Sequence, residues 1–180
     1  MRKVVVITTG GTIEKTYDEH TGELANRGSI VRRMLSDLRL EDTEVEVVEV
    51  MSKDSLLMTA EDRDAIAAAV VDCGAIAAGE AVDGVVVLHG TDTLAETGEC
   101  FVERIPRPRV PIVLTGAMRP YEMKQSDALQ NLTEAIFATG VLAPGIYAVA
   151  HGRALAFPGV VKDRHRGTFS RSSDAGSSRP

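Results

Sequence analysis

The stretch 4-VVVITTGGTIEKTY-17 begins with four apolar residues and breaks off into two threonines, two glycines and a third threonine. An uninterrupted apolar run leaves no side for water. It reads as a strand covered on both faces, as strands of parallel sheets are. Four more near-continuous runs follow, at 45–51, 84–89, 111–115 and 145–150. Helical periods lie between them. Ser29 opens a segment with Val31, Met34, Leu35 and Leu38 on one side. Thr59 has the chemistry of an N-cap, with Glu61 and Asp62 in the first turn behind it. Ile66, Val70, Cys73 and Ala77 then recur at helical spacing. Leu94, Thr97 and Phe101 form a weaker period. Ser126 stands where a cap would precede Leu129, Leu132 and Ile136.

Strands alternating with helices predict an open, mostly parallel α/β sheet with helices on both faces, a Rossmann- or flavodoxin-like three-layer sandwich. The chain has 180 residues, enough for one domain with a sizeable core, expected over 1–170. Only 4% are aromatic and none is Trp, so Val, Ile, Leu, Ala and Met must build that core. From 171 to 180 the chain is polar and rich in Ser, Gly and Arg. Such a tail buries too little apolar surface to offset its ordering entropy and is expected to be disordered. The net charge of −6, with no basic block, argues against nucleic acid as a partner. No N-terminal apolar segment has the length of a signal peptide or membrane span. Cys73 and Cys100 lack metal-like spacing and read as reduced core residues of a cytoplasmic protein.

In an open α/β sheet, ligands gather beyond the carboxyl ends of the strands. That rule selects TGGTIEKTY (9–17), SKDS (52–55), HGTDT (89–93), TGAMRP (115–120) and HGR (151–153), most of them rich in hydroxyls. Gly10 and Gly11 let backbone turn sharply and approach a ligand closely. Neither the Walker loop nor the dinucleotide fingerprint fits, which disfavours phosphate. A threonine hydroxyl is a weak nucleophile unless a base assists it. On composition alone Asp92 is a helix cap and Lys162 a solvated surface residue. Together, however, Thr91, Lys162 and Asp92 make a coherent hydroxyl–amine–carboxylate set. A neutral lysine takes the hydroxyl proton and the carboxylate holds the geometry. Glu14 and Lys15 fit a solvated turn or a closing lid. His20, His151 and His165 form no ligand spacing and read as incidental.

TTGGTI, HGTDTL at 89–94 and TGAMRP, with SDALQNL at 126–132 and VVKD at 160–163, together resemble the bacterial-type L-asparaginases, over about residues 4–170. The resemblance implies an amidohydrolase converting asparagine to aspartate and ammonia, without metal or organic cofactor, and a homo-oligomer. It implies Thr12 as nucleophile, assisted by Tyr17 on a mobile loop, here 14–28. It implies Thr91, Asp92 and Lys162 as a second catalytic set. Ser55, beside Asp54, corresponds to the residue holding the substrate α-carboxylate, Ala117 to a backbone contact with the side-chain amide, and Gly11 and Gly90 to backbone lining the substrate. Weak glutaminase activity is expected. Familiar members carry a second, C-terminal domain, whereas this sequence stops soon after Lys162, and a short single-domain form is the expectation. Two alternatives accompany this reading. One is the amidase subunit of a tRNA-dependent amidotransferase, disfavoured by a first strand beginning at residue 3. The other is a non-catalytic asparagine-binding domain, disfavoured by the presence of all five catalytic groups.

Overall fold

A computed structural model describes residues 1–76 and 82–174. In chain order these form β1 (Arg2–Gly10), β2 (Thr16–Tyr17), β3 (Leu24–Ala25), α1 (Val31–Ser36), β4 (Thr43–Lys53) and α2 (Ala60–Val70). There follow β5 (Gly84–Leu88), α3 (Leu94–Arg104), β6 (Pro111–Thr115), α4 (Ala128–Ala138), β7 (Gly145–Ala150), β8 (Arg153–Ala156), β9 (Val160–Asp163) and β10 (Thr168–Arg171). The main sheet runs β4-β1-β5-β6-β7-β8. Its first five strands are parallel and coincide with the five apolar runs. The edge strand β8 turns back antiparallel onto β7.

The continuous runs have the expected cause. Val5, Ile7, Val85, Val87, Ile112 and Leu114 pack with Ile66 and Val70 of α2 and with Leu94 and Phe101 of α3. Their sheet neighbours Val4, Val6, Val86, Leu88 and Val113 point to the other face, where Val31 and Met34 of α1 meet Leu132 and Ile136 of α4. Successive side chains of a strand alternate faces, so both faces must be apolar when both carry helices.

Four details depart from the sequence reading. The helical period through Cys73 does not persist, because α2 gives way at Val71–Ala75 to a wide turn containing Gly74 at φ +88°; Ala77 lies outside the described residues. Cys73 and Cys100 are free thiols, each only partly buried. Strands β8, β9 and β10, four residues each, have no counterpart among the five runs. Arg171, the first residue of the expected tail, ends β10 opposite Val160, and Ser172 N donates to Gly159 O at 2.9 Å. Residues 175–180 lie outside the described residues.

Thr59 caps α2 as expected: its hydroxyl accepts from Asp62 N, and the Asp62 carboxylate accepts from Thr59 N. Ser126 Oγ accepts from Ala128 N at 3.0 Å at the head of α4.

From β1 the chain moves to β4 on one side, then crosses to β5 on the other. The loops after β1 and β5 therefore leave their strands in opposite directions. A crevice opens between them at the carboxyl edge, the topological switch point of an open α/β sheet.

Candidate active site

Two loops meet at this crevice backbone to backbone. Gly11, at φ +76°, leaves β1 so close to β5 that an added methyl would lie 2.5 Å from both N and Cα of Gly90. A methyl on Gly90 would lie 2.4 Å from Ser55 Oγ. Only glycine tolerates these approaches. Thr12 follows Gly11 and Thr91 follows Gly90, so two threonines flank the contact. Thr91 also touches the loop after β6, where a methyl on Gly116 would lie 3.1 Å from Thr91 Cγ2. Ala117 follows it, 1% exposed.

Thr91, Asp92 and Lys162 come together. Lys162, on β9, donates from Nζ to Thr91 Oγ1 at 2.7 Å and to Asp92 Oδ1 at 3.0 Å. Asp92 is not a helix cap: Thr93 holds the N-cap position of α3. Nor is Lys162 a solvated surface residue, since its side chain is 15% exposed. Arg164, absent from the sequence reading, also pairs with Asp92 Oδ1, at 2.9 Å.

Thr12 begins a short 3-10 turn, Thr12–Glu14, half-buried. Its hydroxyl makes no hydrogen bond with a described residue. The neighbouring threonines are structural: Thr9 Oγ1 donates to Leu88 O at 2.8 Å and Thr115 Oγ1 to Val149 O at 2.6 Å. Ser55 is buried against Gly90, and its hydroxyl likewise has no partner among the described residues. Its carbonyl accepts from Thr93 Oγ1 at 2.9 Å, which fixes the turn it starts. Asp54 caps that turn through Leu56 N and pairs with Lys15 Nζ at 2.9 Å. The hydrogen bonds from Lys15 and Leu56 hold the Asp54 carboxyl below its ordinary range.

Residues 14–28 contain a small hairpin, β2 against β3. Four polar contacts anchor it: Lys15 to Asp54, Tyr17 N to Glu122 Oε2 at 3.0 Å, Asn26 Nδ2 to Gly11 O at 2.8 Å, and Ser29 Oγ to Glu14 Oε1 at 2.5 Å. Tyr17 is 58% exposed on it, and its phenol bonds no described residue. The structure thus does not join Tyr17 to Thr12.

Glu14 is no solvated turn residue. It is 1% exposed and accepts from Gly10 N at 2.9 Å as well as from Ser29. Burial, opposed by these hydrogen bonds and reinforced by the charge of Glu49, pushes its pKa up to about 7. His89 was also overlooked. It is fully buried, which lowers its pKa to about 4. The neutral ring donates from Nδ1 to Gly90 O at 2.9 Å and accepts at Nε2 from Thr97 Oγ1 at 2.8 Å, bracing the Gly90 turn. Burial distinguishes both residues: His89 closes the apolar run 84–89, whereas nothing local marks Glu14. Among the described residues no group of His, Cys, Asp and Glu is arranged to hold a metal, and no helix is long and apolar enough to cross a membrane.

The family model described as Asparaginase, N-terminal matches residues 3–174. An L-asparaginase of Thermococcus kodakarensis is 34% identical over 145 residues, which are 81% of this chain and 43% of that protein. A glutamyl-tRNA(Gln) amidotransferase subunit of Thermoplasma acidophilum is 35% identical over 147 residues, 77% of this chain and 33% of that one. The solved structure of the thermostable Thermococcus kodakarensis L-asparaginase superposes with a TM-score of 0.83 at 32% identity, covering 94% of this chain and 51% of its own. The chain thus spans about half the length, or less, of the relatives it matches.

Proposed function

The chain belongs to the asparaginase family, matching that family's N-terminal domain over residues 3–174, and we propose that it hydrolyses the side-chain amide of L-asparagine to L-aspartate and ammonia. The observation that carries this reading is the bonded set Thr91–Lys162–Asp92 on a turn whose Gly90 meets Gly11, the residue before Thr12. Thr12 Oγ adds to the amide carbon, and the proton it gives up is the one the amide nitrogen takes as it departs. Backbone N–H groups of the converging turns hold the oxyanion. The C–N bond breaks, the nitrogen takes a proton and leaves as ammonia, and an ester to Thr12 remains. Lys162, in its neutral form, takes the Thr91 proton as Thr91 takes one from water. The hydroxide so formed adds to the ester carbon, the bond to Thr12 Oγ breaks, aspartate leaves, and the proton held on Lys162 returns to Thr12 Oγ.

Recognition of the rest of the substrate follows from the same loops. Ser55 offers its free hydroxyl to the α-carboxylate, at a turn that Asp54 caps. Asp92 keeps Oδ2 for the α-ammonium, since Lys162 and Arg164 both engage Oδ1. Gly11, Gly90 and Ala117 line the space with backbone. Tyr17 swings toward Thr12 when the 14–28 segment closes over substrate. Leu56 and Leu57, 66% and 68% exposed beside Ser55, supply an apolar contact for a homo-oligomer.

The similarity to an amidotransferase component favours a second reading, in which the same chemistry supplies ammonia to a partner protein. Steady-state ammonia release by the purified chain, with asparagine and glutamine compared, separates the two. We expect turnover of asparagine by the chain alone, and a kcat/KM for glutamine about ten- to two-hundredfold lower, the usual cost of a one-methylene mismatch. No release from either substrate would favour the partner-dependent reading or a binding domain.

A further inference from the structure

Asp127 occupies the N-cap position of α4, yet its carboxylate does not cap the helix. It turns under the loop after β6 and accepts from Met118 N at 3.0 and 3.1 Å and from Arg119 N at 3.0 Å. Asn131, one turn on, donates from Nδ2 to Gly116 O at 2.8 Å and to Asp127 Oδ2 at 3.0 Å. The backbone is therefore pinned on both sides of Ala117. His151 completes the assembly from the β7–β8 turn. Its N–H donates to Asn131 Oδ1 at 3.1 Å, and its Nε2 lies 2.8 Å from Asp127 Oδ2. Its Nδ1 lies 2.8 Å from Thr168 Oγ1 on β10. Thr168 pairs with Asp163 and the next residue, Phe169, with Lys162.

One imidazole thus bridges the loop carrying Ala117 and the hairpin carrying Lys162. A carboxylate only accepts, so Nε2 carries a proton toward Asp127. The Thr168 hydroxyl serves Nδ1 in either protonation state, as donor to a bare nitrogen or acceptor from N–H. The bridge holds without a charge change. Burial works to raise the Asp127 carboxyl, but the bonds from Met118, His151 and Arg119 outweigh it and keep it below its ordinary range. His151 also sits at φ +54°, a left-handed conformation uncommon for a non-glycine residue, and is followed by Gly152 at φ +74°. Such conformations persist where surrounding bonds over-determine them.

We propose that His151 is a positioning residue for the amide hydrolysis, setting the distance between the Ala117 backbone and Lys162 through Asp127 on one side and Thr168 on the other. This rests on the asparaginase reading of the site. Two half-deletions test it in the 180-residue chain. His151→Gln retains a polar atom near Nε2 and loses the link to Thr168. His151→Asn retains one near Nδ1 and loses the link to Asp127. We expect His151→Gln to lower kcat about tenfold with KM nearly unchanged, because only the Lys162 hairpin is released. His151→Asn should raise KM about tenfold, because the amide-contacting loop is released, and His151→Ala should lose about a hundredfold in kcat/KM, the scale of a small misplacement of reacting groups. Wild-type rates in all three variants, or losses that merely follow the drop in Tm without a kcat–KM split, would overturn the proposal. If the wild-type chain itself releases no ammonia, backbone hydrogen exchange decides. Faster exchange at Met118 and Arg119 in His151→Asn, and at residues 160–171 in His151→Gln, would support the bridge; unchanged exchange would refute it.

Discussion

Lys162 Nζ lies 2.7 Å from Thr91 Oγ1, although 71 residues separate them. The bond ties the turn after β5 to a hairpin outside the main sheet. Lys162→Met keeps most of the side-chain volume and leaves Asp92 paired with Arg164. It should therefore fold normally and lower kcat by about three orders of magnitude. Thr91→Val should cost a similar factor. The double variant should lose little more than either single one, because residues acting as a unit are not additive. Additive losses in initial-rate measurements would separate their roles.

Within TTGGT the threonines should behave oppositely on truncation. Thr9→Ala removes a buried donor from Leu88 O and should destabilise the fold by about 1–2 kcal/mol. Thr12→Ala removes a hydroxyl without a partner among the described residues and should change stability by less than about 0.5 kcal/mol. Its ammonia release should nevertheless fall by three orders of magnitude or more, on the order of a lost nucleophile. Denaturant titration and turnover on the same preparations give both quantities. Near-normal activity in Thr12→Ala removes it from the nucleophile role.

Glu14 makes stability depend on pH in a calculable direction. Its pKa is about 7 in the folded chain against an ordinary 4.5, so the fold binds its proton more tightly than the unfolded chain does. Folding stability should be unaffected by this group below pH 4.5, decline between 4.5 and about 7, and stay reduced above. Two and a half units correspond to roughly 3 kcal/mol at most. Glu14→Gln removes the charge at nearly equal volume. Its Tm should match wild type near pH 4.5 and exceed it at pH 8. Equal melting curves at pH 8 would show that the carboxyl is not buried in solution.

The contact between Gly11 and Gly90 predicts intolerance of a single methyl group. Gly90→Ala must displace Ser55, whose side chain would lie 2.4–2.5 Å away. Overpacking of this kind typically costs about 1–3 kcal/mol. Because Ser55 is the displaced residue, KM for asparagine should rise more than Tm falls. Gly22→Ala, where nothing lies within 4 Å of the added carbon, is the control. Its left-handed φ of +70° makes it mildly destabilising, with KM unchanged.

The sequence exposed the sheet more fully than the site. Four runs free of charged residues, and a fifth at 45–51 interrupted by Glu46 and Glu49, leave few alternatives to parallel strands, and the Thr59–Asp62 box marks a helix start chemically. Strands β8, β9 and β10 are too short for alternation to distinguish them from loop. The catalytic types were recognisable in order along the chain. Their meeting was not, because β9 reaches Thr91 through tertiary packing alone. Glu14, His89, Asp127 and His151 escaped for a related reason. Each is a polar residue whose role lies in burial or in partners distant in sequence. Local composition favours solvation for such residues. The Asp92 cap reading failed because Thr93 takes the cap position and a lysine claims the carboxylate.

The contact of Gly11 with Gly90, and of Gly90 with Ser55, has a thermal consequence. No side-chain layer cushions Gly11 from Gly90, whose other contact is the Ser55 side chain, and packed backbone offers few intermediate arrangements. The spacing of Thr12, Thr91 and Ser55 should therefore change little on warming until the sheet edge itself yields. Among the described residues, polar contacts at its rim tie the 16–25 hairpin to the body, and such contacts release at far lower free energy. On heating, the chain should thus lose its hold on substrate first, with KM climbing over a range where kcat still increases. A cold-adapted variant would most simply be reached by altering Asn26, Glu122 or Lys15, leaving the paired glycines untouched.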